Sequence, residues 1–494
     1  MVLACPASAQ TADSGRNPEL FASTTKAPLV SVGIEAASTR KRVAEVQIDL
    51  LRTNPAPFLQ LNLFQDLELV AEFDHLEQAF GGGVVWVGSV VGHEDSTAMF
   101  SVMGDVVSGS INWEDELCQV GFAGNGVHWI NIVNVAALPE CGTDNSMGIN
   151  LPSPVNGAGG RAGNPDIDVL VVYSTAAKNA VGGTSSMQSR INLAITETNS
   201  AYSLSGATQE LVLAHTEEMV GYSEPSSFSQ ILTDLSSTND GDMDNVHALR
   251  DQYGADCVAM ICQNGQYCGI AYLMTNPSAG FASSAFSVTN YSCMTGYYSF
   301  GHELGHNMGC AHDPQNAGSA AYSYSYGFRT SNNQYRTIMA YSPGTRVKRF
   351  SSPNMTYNGY TMGTSNQDNA RSLNSTSAIV AAWRNGGGGS TDPVMTVPSL
   401  TAGQFAVFTM EDCQANGLAY IYYSRTGTGP TSTIYGSCDL SLPLYLLPQI
   451  NTNASGWGTV MVRVPNRATG VTVWFQGVDA NTSLWSPNFQ TTVL

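Results

Sequence analysis

The chain has 494 residues, 43% of them hydrophobic and 12% charged, with a net charge of −19. That length suggests two to four domains, and the acidity argues against nucleic acid or anionic membranes as partners, since both need basic patches. No apolar run reaches the ~18 residues of a membrane span, so no transmembrane segment is expected, and ten cysteines suit an oxidising compartment.

The start reads "MVLACPASAQ", where Ala7-Ser8-Ala9 before Gln10 resembles the cleavage end of a signal peptide. The basic start and most of the apolar core are missing, so Met1 is expected to lie inside a longer signal. "VLAC" loosely resembles a lipoprotein box with Cys5 as the acylated residue. Residues 1–24 are read as a signal remnant or a disordered terminus of a secreted or cell-surface protein. From 25 to 155 apolar and polar residues alternate, as in "VVWVGSVVG" and "VHWINIVNV", which predicts antiparallel strands. A linker rich in Gly and Pro follows, centred on 156–164, with Arg161 as a processing point. A β-rich domain ahead of such a linker suggests a propeptide.

Residues 165–385 change character. "DIDVLVVYS", "QELVLAHTEEMVGY" and "DCVAMIC" predict strands, while Met187, Ile191 and Ile195 mark a helix and "DMDNVHALRDQYGA" a second one. This alternation predicts a mixed, mostly parallel sheet with helices against it, of α/β or α+β class. "QDNARSLNSTSAIVAAW" reads as the closing helix. A Gly-rich linker over 386–395 leads to residues 396–494, whose short alternating strands predict a small all-β sandwich. Its role is open between binding or surface retention and passive stabilisation. Cys413 and Cys438 are alone in this region and are expected to pair.

The chemistry concentrates in "HELGHNMGCAHD", His302 to Asp313. His302 and His306 are four apart, so on a helix they share one face and can bind one metal ion. Glu303 is rotated about 100° away and lies beside the metal, positioned as a base. Gly309 is expected to end the helix in a left-handed conformation, so that the turn brings His312 round as third ligand. Three nitrogen ligands on tetrahedral Zn²⁺ leave a place for water. A purely structural zinc site would be closed by four ligands and would not need Glu303.

H-E-x-x-H-x-x-G-x-x-H is similar to the metzincin signature, and "TIMAYS" resembles the Met-turn that follows it, which implies that Met339 underlies the zinc histidines. Asp313 after the third histidine is similar to adamalysins (reprolysins), and "GYYSFGHELGHNMGCAHD" resembles bacterial reprolysin-like proteases and peptidyl-Asp metalloendopeptidases. The resemblance covers roughly residues 165 to 385 and implies a catalytic zinc ion and protein or peptide substrates. "CGIAYLM" resembles the metzincin edge strand, with Gly269, Ile270 and Ala271 pairing with an extended substrate. Tyr341 stands where astacins and serralysins, but not adamalysins, carry a zinc-binding tyrosine. It could ligate zinc, hydrogen-bond the oxyanion, or merely close the turn as a buried residue. Cys310 is expected to anchor the turn through a disulfide. "LPECGTD" loosely resembles the cysteine switch of matrixin and adamalysin propeptides, in which Cys141 would fill the open zinc position; Glu140 stands where matrixins carry an arginine. The competing reading is a Cys118–Cys141 disulfide.

Arg346, Lys348 and Arg349 crowd into "PGTRVKRFSSP". In metzincins this chain walls the first primed subsite, and a cation there would favour Asp or Glu after the scissile bond. The alternative is a strand whose cations alternate into solvent. The expected protein is thus a secreted, monomeric zinc endopeptidase, with a catalytically silent binding or adhesion protein as the rival that the intact Glu303 disfavours. No motif supports a structural Ca²⁺.

Overall fold

The computed structural model describes residues 17–31, 37–52, 55–144, 148–149, 166–384, 393–411, 413, 417–453, 456–480 and 484–494. The signal-like start with Cys5, the linker over 150–165 with Arg161, and the Gly-rich segment 385–392 lie outside these residues. The chain divides into two compact units, Met1–Arg384 and Asn385–Leu494.

The first unit opens with nine strands: β1 (Phe21–Ala22), β2 (Ser38–Val46), β3 (Phe58–Phe64), β4 (Leu67–Ala79), β5 (Gly83–Val90), β6 (Thr97–Met103), β7 (Val106–Trp113), β8 (Glu116–Gly124) and β9 (Val127–Val133). They form one antiparallel sheet in the order β1-β2-β9-β8-β7-β6-β5-β4-β3. One face buries Phe21, Trp86, Phe100 and Ile130 in a common apolar cluster. Along β6 and β7, however, nearly every residue is buried, which an antiparallel strand with one wet face would not show. The other face is covered as well, by a helix from the next part of the chain.

A short strand, β10 (Gly148–Ile149), precedes the second half. There β11 (Asp166–Ser174), β12 (Glu210–Met219), β13 (Cys257–Cys262), β14 (Gly269–Ala271) and β16 (Phe286–Asn290) form a five-stranded sheet in the order β12-β11-β13-β16-β14. The first four pair in parallel and only β14, at one edge, runs antiparallel. β15 (Leu273–Met274) follows β14 and pairs in parallel with β10. The helices are α1 (Thr175–Ala180), α2 (Thr184–Ser205), α3 (Phe228–Ser236), α4 (Asn245–Gln252), α5 (Ser299–Asn307) and α6 (Asn369–Val380). Two more short strands, β17 (Tyr335–Arg336) and β18 (Thr345–Arg346), pair in parallel.

Helix α2 is buried on two sides. Met187, Ile191, Ala194 and Tyr202 pack into the core under the five-stranded sheet. Leu193 packs against Val85, Val87 and Met99 of the nine-stranded sheet. Hydrogen bonds frame that second contact: Ser189 Oγ donates to the Ser101 carbonyl (2.8 Å) and Asn192 Nδ2 to the Phe80 carbonyl (3.1 Å). Small polar side chains on the outer face of α2 therefore meet the strand backbone closely.

The second unit contains only strands among its described residues. Val394–Thr396, Phe405–Glu411 and Gly458–Arg463 make one sheet, and a second is built around Leu418–Ser424 and Thr472–Asp479. Both contribute to one core, with Phe408 and Phe475 in contact at 5.2 Å between ring centroids. The expected Cys413–Cys438 bridge is not formed. Cys438 lies on Gly436–Leu440, which pairs only with the neighbouring Thr428–Thr433, whereas Cys413 follows a strand of the first sheet.

Candidate metal centre

Helix α5 carries "SFGHELGHN" and is buried along its whole length. Small residues allow this: a Cβ at Gly305 would come within 2.9 Å of Met339 Sδ, so the sulfur lies directly against the helix that holds His302 and His306. Met339 is fully buried, where the Met-turn resemblance places it. Gly309 has φ +88°, the left-handed conformation expected, and the chain reverses there to bring His312 back.

The three imidazoles converge. Their Nε2 atoms stand 3.1 Å (His302–His312), 3.2 Å (His302–His306) and 3.0 Å (His306–His312) apart. Nitrogens about 2.0–2.1 Å from one tetrahedral zinc would be ~3.3 Å apart, close to this triangle. His302 Nδ1 faces the Ile338 carbonyl and His306 Nδ1 the Cys310 carbonyl, both at 2.8 Å. Donation to those carbonyls leaves the Nε2 lone pair of each ring aimed at the others, an arrangement that suits a shared cation. Burial pushes all three rings towards the neutral form a metal requires, His306 down to about 4.

Cys141 completes the cluster: one donor atom from each of Cys141, His302, His306 and His312 lies within 4.8 Å of the others. Its Sγ is 3.7 Å from His306 Nε2 and 3.4 Å from Glu303 Oε2. Cys118 is buried in the core of the nine-stranded sheet, so the Cys118–Cys141 disulfide is not present. Glu303 is fully buried beside the histidines, and desolvation lifts its carboxyl to about 8. Gly269 makes room for it: a Cβ there would lie 2.3 Å from Glu303 Oε1.

The segment holding Cys141 lies along the edge strand. Gly142 N donates to the Gly269 carbonyl (2.8 Å), Cys268 N to the Glu140 carbonyl (3.2 Å), and Ala271 N to Thr143 Oγ1 (2.9 Å). Its sense is parallel to β14 and continues so at β10 and β15. Gly269, Ile270 and Ala271 thus form a sheet edge that pairs with an extended chain. Tyr341 packs against His312 with the rings tilted and their centroids 4.1 Å apart, and its hydroxyl donates to the Cys141 carbonyl at 2.6 Å. Asp313 secures this wall, bonding Arg329 (2.6 Å), Asn316 Nδ2 (3.0 Å) and the Tyr341 N–H (3.0 Å).

The basic cluster splits. All three cations are buried, which overturns the alternative of solvent exposure. Arg346 reaches the site, 3.2 Å from Glu140 Oε2. Arg349 instead pairs with Asp95 of the nine-stranded sheet at 2.7 Å. Lys348 is buried beside the Glu197 carboxylate, and desolvation lowers its pKa. Neither Lys348 nor Arg349 lines the cleft, because the chain beyond β18 turns them inward. Cys310 also departs from expectation: it forms no disulfide, and its thiol points to the Asn369 carbonyl at 3.8 Å. The one disulfide among the described residues, Cys268–Cys293, joins the start of β14 to the approach to α5. Sequence reasoning missed Arg336, whose guanidinium is 3.4 Å from Glu140 Oε1; the short strand that carries it has no periodic signal.

A family model described as metallo-peptidase family M12 (Reprolysin_5) matches residues 164–351. A peptidyl-Asp metalloendopeptidase of Xanthomonas campestris pv. campestris is 35% identical over 366 residues, covering 69% of this chain and 85% of that protein. One of the same name from Stenotrophomonas maltophilia R551-3 is 33% identical over 377 residues, covering 71% and 88%. Helix, turn and cluster geometry agree with both comparisons, and the chain belongs to the reprolysin-like metallopeptidases of family M12 and is a metalloendopeptidase.

Proposed function

We propose that the protein is a secreted zinc endopeptidase held latent by its own N-terminal region, with a preference for acidic residues after the scissile bond. The observation that carries this reading is the convergence of three imidazole nitrogens beside a buried glutamate, with the Cys141 thiol at the fourth position. His302, His306 and His312 would hold the zinc ion, which when bound polarises a carbonyl and lowers the pKa of a water towards ~7. Glu303, buried beside the three histidines, takes the proton of the attacking water and delivers it to the leaving amine. Once the N-terminal segment is removed, the β14 edge aligns the peptide main chain, so most side chains need no recognition. The Tyr341 hydroxyl, which here donates to a peptide carbonyl, is positioned to do the same for the developing oxyanion.

Residues 25–155 act as propeptide in this reading. Cys141 occupies the place the water needs, and its segment blocks the β14 edge. The acidic preference rests on Arg346, buried at the site and already paired with a carboxylate, and it accords with the names of the relatives. Secretion is supported by the Cys268–Cys293 disulfide. A test is Glu303→Gln in the processed enzyme. It should retain one zinc per chain, measured by metal analysis, and lose about 10²- to 10⁴-fold in casein hydrolysis; cleavage near the wild-type rate would dismiss Glu303 as the base.

A further inference from the structure

We propose that Arg336 and Arg346 together form the pocket that reads the acidic side chain after the scissile bond, and that Glu140 fills this pocket as a built-in pseudosubstrate. The inference rests on the endopeptidase reading above and names the residues that give it specificity. Arg336 and Arg346 are paired across β17 and β18 in register and are both buried. Two guanidinium groups side by side away from water repel each other, and an anion between them relieves that repulsion. Glu140 supplies that anion: Oε1 is 3.4 Å from Arg336 Nη2, and Oε2 is 3.2 Å from Arg346 Nη2. The Ser342 N–H also donates to Oε1 at 3.0 Å.

The pocket is built by the protease half, while its occupant comes from the N-terminal half. Arg336 is fixed by the carbonyls of Gly344 (2.9 Å) and Ala340 (2.5 Å) and by Tyr297 Oη (2.9 Å). Arg346 donates to the Tyr297 carbonyl (3.2 Å) and lies over the Tyr297 ring at 4.2 Å. Both cations are therefore positioned before any carboxylate arrives, which favours binding of a single geometry. Removal of the N-terminal half leaves two oriented guanidinium groups and one N–H donor without their acceptor.

Chain direction identifies the subsite. Glu140 to Thr143 runs parallel to β14, with Cys141 at the metal cluster. A substrate in the opposite, antiparallel sense places the residue after its scissile bond on the side where the parallel segment has the residue before Cys141. That residue is Glu140. Latency then has two anchors on adjacent residues, a thiol at the metal and a carboxylate in the specificity pocket.

The test uses the processed enzyme and three peptides that differ only in Asp, Asn or Leu after the scissile bond. Wild type should favour Asp over Leu in kcat/KM by about 10- to 100-fold, and Arg336→Gln should reduce that ratio at least tenfold, as should Arg346→Gln. Because a buried arginine can be needed for folding, a second measurement uses wild-type enzyme alone. A synthetic peptide of residues 137–144 should inhibit it, and the same peptide with Gln at position 140 should inhibit at least tenfold less. An unchanged Asp preference in Arg336→Gln, or equal inhibition by the two peptides, overturns the pocket assignment while leaving the endopeptidase intact. Equal cleavage of the Asp and Leu peptides by wild type removes the acidic preference itself, and with it this proposal.

Discussion

Gly269 shows how a single missing side chain makes room for Glu303, the base of the proposed mechanism. An added Cβ would overlap the Glu303 carboxylate at 2.3 Å, so Gly269→Ala must displace Glu303 from its position beside the histidines. The expected outcome is a kcat at least tenfold lower with zinc content unchanged, read from steady-state kinetics and metal analysis. A second residue-scale prediction concerns pH. Asp256 is buried, and desolvation raises its carboxyl to about 7, although it accepts hydrogen bonds from the Asp168 and Arg384 N–H groups. Between its unfolded value near 3.8 and the folded one the native state binds the extra proton, so this contribution is complete at low pH and is lost as pH rises through about 7. Urea unfolding should show Asp256→Asn gaining about 1–3 kcal/mol relative to wild type between pH 5 and pH 8; parallel pH curves would refute the assignment. The histidines and Glu303 were legible in the sequence because helix spacing places them together locally. Arg336 and Glu140 were not, since they are 196 residues apart and only the tertiary fold joins them. Glu140, which weakened the resemblance to a cysteine switch on sequence grounds, has a partner of opposite charge in the fold.

At the scale of elements, the edge strand β14 depends on its tether. The Cys268–Cys293 disulfide closes a 25-residue separation between that strand and the approach to α5. For a loop of this size the chain-entropy model gives about 3.5 kcal/mol of stability. The double variant Cys268→Ser/Cys293→Ser should therefore unfold at lower urea, and an unchanged midpoint would argue that the bridge is not formed in solution. The alternation of strands and helices predicted the parallel sheet and its order of appearance correctly. Helix α3 was overlooked, although Ser227 caps it by accepting from Gln230 N and Phe228, Ile231, Leu232 and Leu235 give it a buried face. The second buried side of α2 could not have been seen, because Ser189 and Asn192 look like solvent-facing residues until the backbone of the nine-stranded sheet and the turn after β4 provide their acceptors. Cysteine pairing was likewise unreadable, since connectivity depends on which loops meet.

At the scale of the whole molecule, the nine-stranded sheet and the protease fold are one compact unit, and the sheet's following segment reaches the metal centre. Contacts distant from the cleft hold that arrangement: Asp95 pairs with Arg349, and Gln119 Nε2 donates to the Ser292 and Thr295 carbonyls at 3.1 and 2.9 Å. These bonds join the nine-stranded sheet to the protease half. The central claim is that the thiol of Cys141 and the three histidines share one ion in the intact chain. X-ray absorption at the zinc edge of the unprocessed protein tests this most directly. The account predicts three nitrogen ligands at about 2.0–2.1 Å and one sulfur at about 2.3 Å, with the sulfur lost in Cys141→Ala. A first shell of nitrogen and oxygen alone in the wild-type chain would contradict it.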